Sequence, residues 1–222
     1  DTPDEEVANM MEKYDLVAIP VLNQANVLVG RITIDDIVDV IKDEAEKDFQ
    51  MASGISENVE SKDSIWLLTR ARLPWLLIGL VGGILGAVVI KSFEYELGQF
   101  PVLAFFIPLI AAMAGNVGVQ SSAIIVQGLA NDAVKGSLFN RLIKEVGLSL
   151  INGLALALII IIFGALINQE LLVSFTIAGS MILVIVVAAL VGTFVPIILD
   201  KKSIDPAIAT GPFITTANDI FG

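Results

Sequence analysis

The residue with the clearest chemical signature in this sequence is Asp219. It is the only carboxylate well inside an apolar segment, and it follows the hydroxyl pair Thr215-Thr216. Ionisable side chains are rare and costly within a bilayer, where they mark ion or substrate pathways. No basic residue lies deep enough in an apolar segment to neutralise this carboxylate. We expect Asp219 to contact a cation, with a protonated structural carboxyl as the alternative.

A second polar interruption is the run Gly115-Asn116-Val117-Gly118-Val119-Gln120-Ser121-Ser122. Its glycines, amides and hydroxyls are tolerated at membrane depth where they line a cavity or pack against protein. Oxygen-rich linings hold ions in channels, whereas Asn and Ser also form hydrogen bonds between helices. We favour a lining role. We also expect Pro108 and Pro212 to break their helices and free carbonyl groups nearby.

These residues lie in segments long and apolar enough to cross a bilayer. Hydrophobic residues make up 55% of the 222 residues and charged residues 17%. A spanning helix needs about 20 apolar residues, because about 30 Å of hydrocarbon is crossed at about 1.5 Å per residue. Five spans are predicted, at about 74–90, 101–130, 143–167, 171–199 and 206–222. In the first, Gly79, Gly82, Gly83 and Gly86 are spaced as in helix or dimer packing, with pore lining as the alternative.

Basic residues near the span ends set the expected orientation. They are concentrated before the first span, between the second and third, and after the fourth, as Lys62, Arg70, Arg72, Lys135, Arg141, Lys144, Lys201 and Lys202. The other turns hold either Lys91 beside two glutamates or no basic residue. We therefore expect a multi-pass protein of the cell (inner) membrane with its N-terminal region in the cytoplasm.

Charge and composition exclude several classes of enzyme. Residues 1–64 carry 16 of the 24 acidic side chains and 5 of the 13 basic ones, which predicts a water-exposed acidic region attached to a neutral membrane region. The chain has no cysteine or histidine, which excludes a thiolate nucleophile, a Cys/His zinc site and a Ser-His-Asp triad. An intramembrane aspartyl protease would need two aspartates deep in its spans, and Asp219 is the only one in this sequence. We predict neither enzymatic activity nor a nucleic-acid partner.

The N-terminal region holds a short motif followed by an acidic helix. Two β-rich runs flank the polar turn Asn23–Asn26 and lead into an amphipathic helix. With Gly30, Thr33 and Asp36 this resembles the second half of a CBS domain, which implies that Thr33 and Asp36 contact an adenine nucleotide such as ATP. The helix then carries Asp35, Asp36, Asp39, Asp43, Glu44, Glu46 and Asp48. Their mutual repulsion favours a hard divalent cation, with a solvated acidic face as the alternative.

In this order, the segments resemble the MgtE family of magnesium channels. The resemblance rests on Gly115-Asn116-x-Gly118-x-Gln120-Ser121 in the second span and on Asp205-Pro206-Ala207, Pro212, Thr216 and Asp219 near the fifth. It implies a homodimer whose ion pathway is lined by these two spans. Asp219 would be the central Mg²⁺-binding residue, with further oxygen ligands at Gly115, Asn116 and Thr215. It also implies regulatory Mg²⁺ at Glu5, Asp15, Asp36, Asp39, Glu44 and Asp48.

The expected fold class is mainly α, a polytopic membrane helical bundle of five spans. A partial α/β CBS domain (residues 1–41) and an acidic connector helix with the membrane approach (42–72) precede the transmembrane domain (73–222). The expected function is a Mg²⁺-selective channel for magnesium uptake, closed by cytoplasmic Mg²⁺. A coupled transporter or exchanger of Mg²⁺ or of a broader set of divalent cations is one alternative. A nucleotide-sensing membrane subunit that conducts nothing is another.

Overall fold

The computed structural model describes residues 2–56, 58–130, 137–209 and 211–221, without the side chains of five of these: Glu5, Ala209, Pro212, Asn218 and Phe221. Lys135, used above to predict orientation, therefore lies outside the described residues. The chain divides into two compact units, residues 1–50 and residues 51–222. The expected domain boundaries near residues 41 and 72 stay predictions.

The first unit is a small α/β arrangement. Helix α1 (Asp4–Lys13) precedes strands β1 (Ala18–Leu22) and β2 (Leu28–Thr33), which pair antiparallel with Ile19 opposite Ile32. Between them, the Asn23 side chain accepts hydrogen bonds from the backbone N–H groups of Ala25 and Val27 at 2.9 and 3.0 Å. This self-bonded turn is typical of asparagine. The predicted strand–turn–strand is therefore confirmed.

Helix α2 (Ile34–Ala52) follows β2 without an intervening loop. Its Ile37 packs with Ala8 and Met11 of α1 in the unit's small apolar core. The Asp36 carboxylate accepts hydrogen bonds from the backbone N–H and the hydroxyl of Thr33, both at 2.8 Å. A helix start leaves N–H groups without intrahelical partners, so an acidic side chain that reaches back one turn stabilises it.

Within the described part of the second unit, four helices are long and apolar enough to span a membrane: α3 (Ile65–Ser92), α5 (Val102–Ala130), α6 (Leu138–Leu166) and α7 (Leu171–Lys201). The short helix α4 (Glu94–Gln99) links α3 to α5. Helix α7 packs against both α5 and α6, and residues of all three form the main apolar core. These findings confirm the mainly helical membrane fold and four of the five predicted spans.

Close helix contact in this core depends on small residues. A side chain on Gly192 of α7 would collide with the carbonyl oxygen of Gly118 on α5, and one on Gly164 of α6 would collide with Ser174 on α7. Helices in a membrane gain little from hydrophobic burial against one another, so close backbone approach contributes much of their association. The polar run of α5 is therefore held against α7 through its own backbone.

The fifth predicted span is built differently from the other four. A 3-10 helix (Pro206–Ala209) precedes helix α8 (Pro212–Phe221), and α8 packs against α3, α5 and α7. Ten helical residues extend about 15 Å at about 1.5 Å each, half of a bilayer core of about 30 Å. The expected break near Pro212 is confirmed, whereas that at Pro108 is wrong. Helix α5 continues through Pro108, which only removes one N–H donor from the helix.

Gly211 marks the break before α8. Its backbone is left-handed, at φ +57°, and a Cβ there would collide with the carbonyl oxygen of Ala52, a residue at the beginning of the same unit. Both observations favour glycine, which has no Cβ and enters this region without strain. The start of α8 is thus held next to the segment that leads towards the membrane helices.

Candidate cation site

Helix α8 presents two different sides to its surroundings. Ile214 is fully buried, whereas Asp219 is exposed at the protein surface. Thr215 and Asp219 are four residues apart and therefore share a helix face. The Thr215 hydroxyl donates a hydrogen bond to the carbonyl oxygen of Gly211 at 3.3 Å. The burial of Ile214 therefore fixes the rotation that leaves Asp219 accessible.

A matching polar face lies on α5. Asn116 and Gln120 are one turn apart, and both are exposed. Gly115 faces α8, because a Cβ built on it would lie 3.8 Å from Cγ2 of Thr215. Since Gly118 on another face of α5 is buried against α7, the two amides are directed away from that contact. A regular helix thus orients the polar run without any irregular backbone.

Between α5 and α8 lies an open cavity of about 550 Å³. Its described lining comes from these two helices and consists of Pro108, Ala111, Ala112, Gly115, Asn116, Val119, Gln120, Thr215 and Asp219. All four residues predicted to bind the pore metal are among them. Residues separated by about a hundred positions in the chain are thus brought to a single surface.

The cavity lining offers oxygen atoms suited to a hydrated cation. The Asp219 carboxylate, the amides of Asn116 and Gln120 and the Thr215 hydroxyl are all hard oxygen donors, the type that Mg²⁺ and Ca²⁺ prefer. No lysine or arginine is among the lining residues that the structure describes. Six waters occupy about 180 Å³ at about 30 Å³ each, so the cavity has room for an ion with its first hydration shell.

Glu145 is a polar residue that sequence reasoning missed. It lies within α6, is partly buried, and accepts a hydrogen bond of 2.5 Å from the hydroxyl of Ser121 on α5. Such short bonds to a carboxylate are about twice as strong as neutral ones. Ser121 adjoins Gln120, a residue of the cavity lining. The bond between Ser121 and Glu145 therefore links the polar part of α5 to α6. The signal available in the sequence was a glutamate near the predicted start of the third span.

The predicted regulatory residues all belong to the first unit. Asp15 follows α1 in a left-handed conformation at φ +53°, and Asp36, Asp39, Glu44 and Asp48 lie on α2. The side chain of Glu5 lies outside the described residues. Glu44 forms an ion pair with Lys47 at 3.1 Å. Among the residues that the structure describes, no three acidic side chains are close enough together to hold a metal ion, so the regulatory site stays a prediction.

Thr33 and Asp36, the predicted nucleotide contacts, are bonded to each other at the start of α2. The hydrogen bonds from the Thr33 N–H and hydroxyl hold the pKa of the Asp36 carboxyl below its usual value of 3.8. Hydrogen bonds to an ionised carboxylate favour that form. The described contacts of this pair are therefore those of a helix cap, and nucleotide binding stays a prediction.

Comparison with known proteins gives two family matches. Residues 107–222 match the profile of MgtE, described as a divalent cation transporter, and residues 1–43 match the CBS domain. The first match includes all the cavity-lining residues of α5 and α8.

Three curated relatives are each named magnesium transporter MgtE. Those from Bacillus subtilis and Enterococcus faecalis are each 39% identical to this chain over 97% of its length and 48% of theirs. The relative from Thermus thermophilus is 32% identical over 100% of this chain and 50% of its own length. The chain thus spans about half the length of the curated relatives it matches.

Proposed function

Since this chain belongs to the MgtE family of divalent cation transporters, we propose that it carries Mg²⁺ across the membrane past the cavity between α5 and α8. The observation that supports this most directly is the cavity lining, in which Asp219, Thr215, Asn116 and Gln120 offer oxygen ligands and whose described residues include no lysine or arginine. The relatives' shared name, magnesium transporter, supports Mg²⁺ as the cargo.

The chemistry of Mg²⁺ fits a site with few protein ligands. Mg²⁺ gives up its water reluctantly and usually binds through one or two carboxylates while keeping several waters. Asp219 supplies the charge, and the amide and hydroxyl oxygens accept hydrogen bonds from the ion's water ligands. Gly115 contributes no side chain, which leaves space beside Thr215. The site therefore recognises the hydrated ion rather than a bare one.

We propose a channel mechanism rather than coupled transport. The cavity is open, and Asp219 is the one carboxylate of its described lining, which supplies a place for a cation. In this proposal the protein is a homodimer in the inner membrane, with the N-terminal unit in the cytoplasm. Uptake then follows the membrane potential and the Mg²⁺ gradient, and collapsing a Na⁺ or proton gradient at fixed potential leaves it unchanged.

Control by internal Mg²⁺ is the second part of the proposal. The N-terminal region carries a strong excess of carboxylates, seven of them on or at the start of α2. Like charges three or four residues apart repel each other, and a bound divalent cation removes that repulsion. Mg²⁺ bound to Asp15, Asp36, Asp39, Glu44, Asp48 and Glu5 would favour one of two states, and the proposed state is the closed one.

The experiment that tests the transport proposal replaces Asp219. In proteoliposomes containing a Mg²⁺-sensitive dye, Asp219→Asn should reduce Mg²⁺ uptake at least tenfold, since tenfold corresponds to about 1.4 kcal/mol and charge-assisted contacts contribute about that or more. Asp200→Asn is the matched control, because Asp200 is a carboxylate of the same unit that does not line the cavity. Unchanged uptake by a folded Asp219→Asn protein would show that the ion takes another route.

A further inference from the structure

The glycines of α3 divide into two pairs with different surroundings. Gly82 and Gly86 are buried against α8, and we call them the contact glycines. Among the described residues, no atom outside the neighbouring backbone of α3 lies within 4 Å of a Cβ built on Gly79 or Gly83, and we call these two the open-face glycines. All four lie within two turns of the same helix. The small-residue pattern predicted from the sequence therefore serves a contact within this chain on one of its faces.

The contact glycines touch the helix that carries Asp219. A Cβ on Gly82 would collide with the methyl group of Thr216, and a Cβ on Gly86 would lie 2.8 Å from the carbonyl oxygen of Asp219 itself. Separations under about 3.4 Å lie inside the usual contact distance of carbon atoms, so something must move. At residue 82 the nearest atom is the Thr216 methyl group, with the Thr216 Cβ at 3.1 Å and its Cα at 3.4 Å, whereas at residue 86 the nearest atom is a backbone carbonyl oxygen. At Gly86, relief therefore requires the backbones of α3 and α8 to move apart.

A shift of α8 cannot be confined to its contact with α3. The same ten-residue helix packs against α5, where Thr215 lies beside Gly115. The side chains that offer oxygen ligands to a cation come from both helices: Asn116 and Gln120 lie on α5, and Thr215 and Asp219 lie on α8. Moving α8 by a fraction of an ångström to an ångström therefore changes the spacing between the two groups of donors.

We propose that Gly82 and Gly86 are positioning residues for the cation site, which set the spacing between the Asp219 carboxylate and the amides of α5. This inference rests on the proposed function of the cavity. It assigns to α3, which contributes no residue to the cavity lining, a role in how the site discriminates among divalent cations. Hydrated Mg²⁺, Mn²⁺ and Ca²⁺ differ in size and in how readily they lose water, so donor spacing affects them unequally.

The test compares Gly82→Ala and Gly86→Ala with the open-face controls Gly79→Ala and Gly83→Ala. Each variant is assayed in proteoliposomes for the concentration dependence of Mg²⁺ uptake and for competition by Mn²⁺ and Ca²⁺. We expect Gly86→Ala to reduce uptake about tenfold and to change the competition ratios, since misplacing a reacting group by about 1 Å costs up to about a hundredfold. The controls should retain both properties of the unchanged protein.

A second variant keeps the proposal testable if Gly86→Ala does not fold. Thr216→Ser removes the methyl group that a side chain at residue 82 would strike, so Gly82→Ala combined with Thr216→Ser should regain much of the Mg²⁺ uptake and the competition ratios lost in Gly82→Ala alone. Absence of this rescue, when Gly86→Ala does not fold, would overturn the proposal. So would normal competition ratios in a folded Gly86→Ala protein, or equal changes in the open-face controls.

Asp219→Asn is measured in the same assay to keep two failures apart. If that variant takes up Mg²⁺ normally, the proposed function of the cavity is wrong. If it does not, and Gly86→Ala behaves like the unchanged protein, the cavity assignment stands and the positioning role of the contact glycines is wrong.

Discussion

At the scale of single residues, two carboxylates of the membrane unit have different roles. Asp219 faces an open cavity, whereas Glu145 is bonded to Ser121 between two helices. The sequence was enough to single out Asp219, because no other charge lies near it within its apolar segment. It did not single out Glu145, which adjoins Lys144 at the edge of a predicted span. Its pairing depends on how α5 and α6 are rotated, which periodicity alone does not specify.

Breaking the bond between Ser121 and Glu145 should destabilise the membrane unit. Ser121→Ala removes the hydroxyl that donates to the carboxylate, and a partly buried acceptor that loses its donor costs about 1–3 kcal/mol. We expect a lower unfolding temperature in detergent, whereas Glu145→Gln, which keeps an acceptor oxygen, should cost less. Ser149→Ala serves as a control, because that hydroxyl bonds the backbone carbonyl of Glu145 within the same helix. Equal midpoints for Ser121→Ala and the unchanged protein would contradict this role.

At the scale of helices and strands, the presence of each element was easier to predict than its continuity or its packing partners. The long apolar helices and the hairpin follow from hydropathy and from turn residues such as Asn23, which are local properties. The continuity of α5 through Pro108 was not predictable, since membrane helices accommodate proline when neighbouring helices support the backbone. Nor was the pairing of Gly192 with Gly118, because a glycine spacing does not identify its partner helix.

The contact between α5 and α7 gives a prediction about packing. Gly192→Ala places a methyl group against the carbonyl oxygen of Gly118, and overpacking a tight contact typically costs about 1–3 kcal/mol. Gly179→Ala is the matched control on the same helix, since a Cβ there meets nothing within 4 Å. We expect thermal unfolding in detergent to shift downward for the first variant only. Indistinguishable curves for the two variants would show that α7 adjusts without cost.

The cap at the start of α2 gives a prediction about pH. The pKa of Asp36 is lowered in the folded protein by its hydrogen bonds from Thr33. The ionised Asp36 side chain therefore stabilises the start of α2 at pH values above the unfolded pKa, and this stabilisation is lost as the pH falls through the folded pKa. Hydrogen exchange of the amides at the start of α2, measured in the full chain, should therefore lose protection below about pH 4. Asp36→Ala should show weak protection throughout, whereas Asp35→Ala should follow the unchanged protein. Full protection of Asp36→Ala at neutral pH would contradict the capping role.

At the scale of the whole molecule, charge and hydropathy divide the chain in two. The entire net charge of −11 belongs to residues 1–64, and the remaining residues are neutral overall. This division was visible in the sequence because both properties are averages over many residues. The cavity could not be predicted from the sequence, since it requires α5 and α8 to pack against each other and against α7. The sequence motifs indicated its chemistry, and the packing supplies its shape.

The acidic N-terminal region gives a prediction about regulation that separates specific binding from overall charge. Neutralising Asp39, Glu44 and Asp48 together as Asn, Gln and Asn should weaken inhibition of uptake by Mg²⁺ on the cytoplasmic side. Coupling between two sites is typically about 1–3 kcal/mol, or about 5–150-fold in affinity, so the half-inhibiting concentration should rise within that range. Patch recording with Mg²⁺ applied to the cytoplasmic face measures conduction and inhibition together.

The same helix offers a control with an equal change in charge. Asp35, Asp43 and Glu46 are three other carboxylates of α2, and their joint neutralisation should leave the half-inhibiting concentration close to that of the unchanged protein. If both triple variants lose inhibition equally, internal Mg²⁺ acts by screening the charge of the whole region, and the six predicted regulatory residues are not a specific site. If only the first variant loses it, the closed state depends on ions held at defined positions along α2, since a general field of charge cannot distinguish two sets of three carboxylates on one helix.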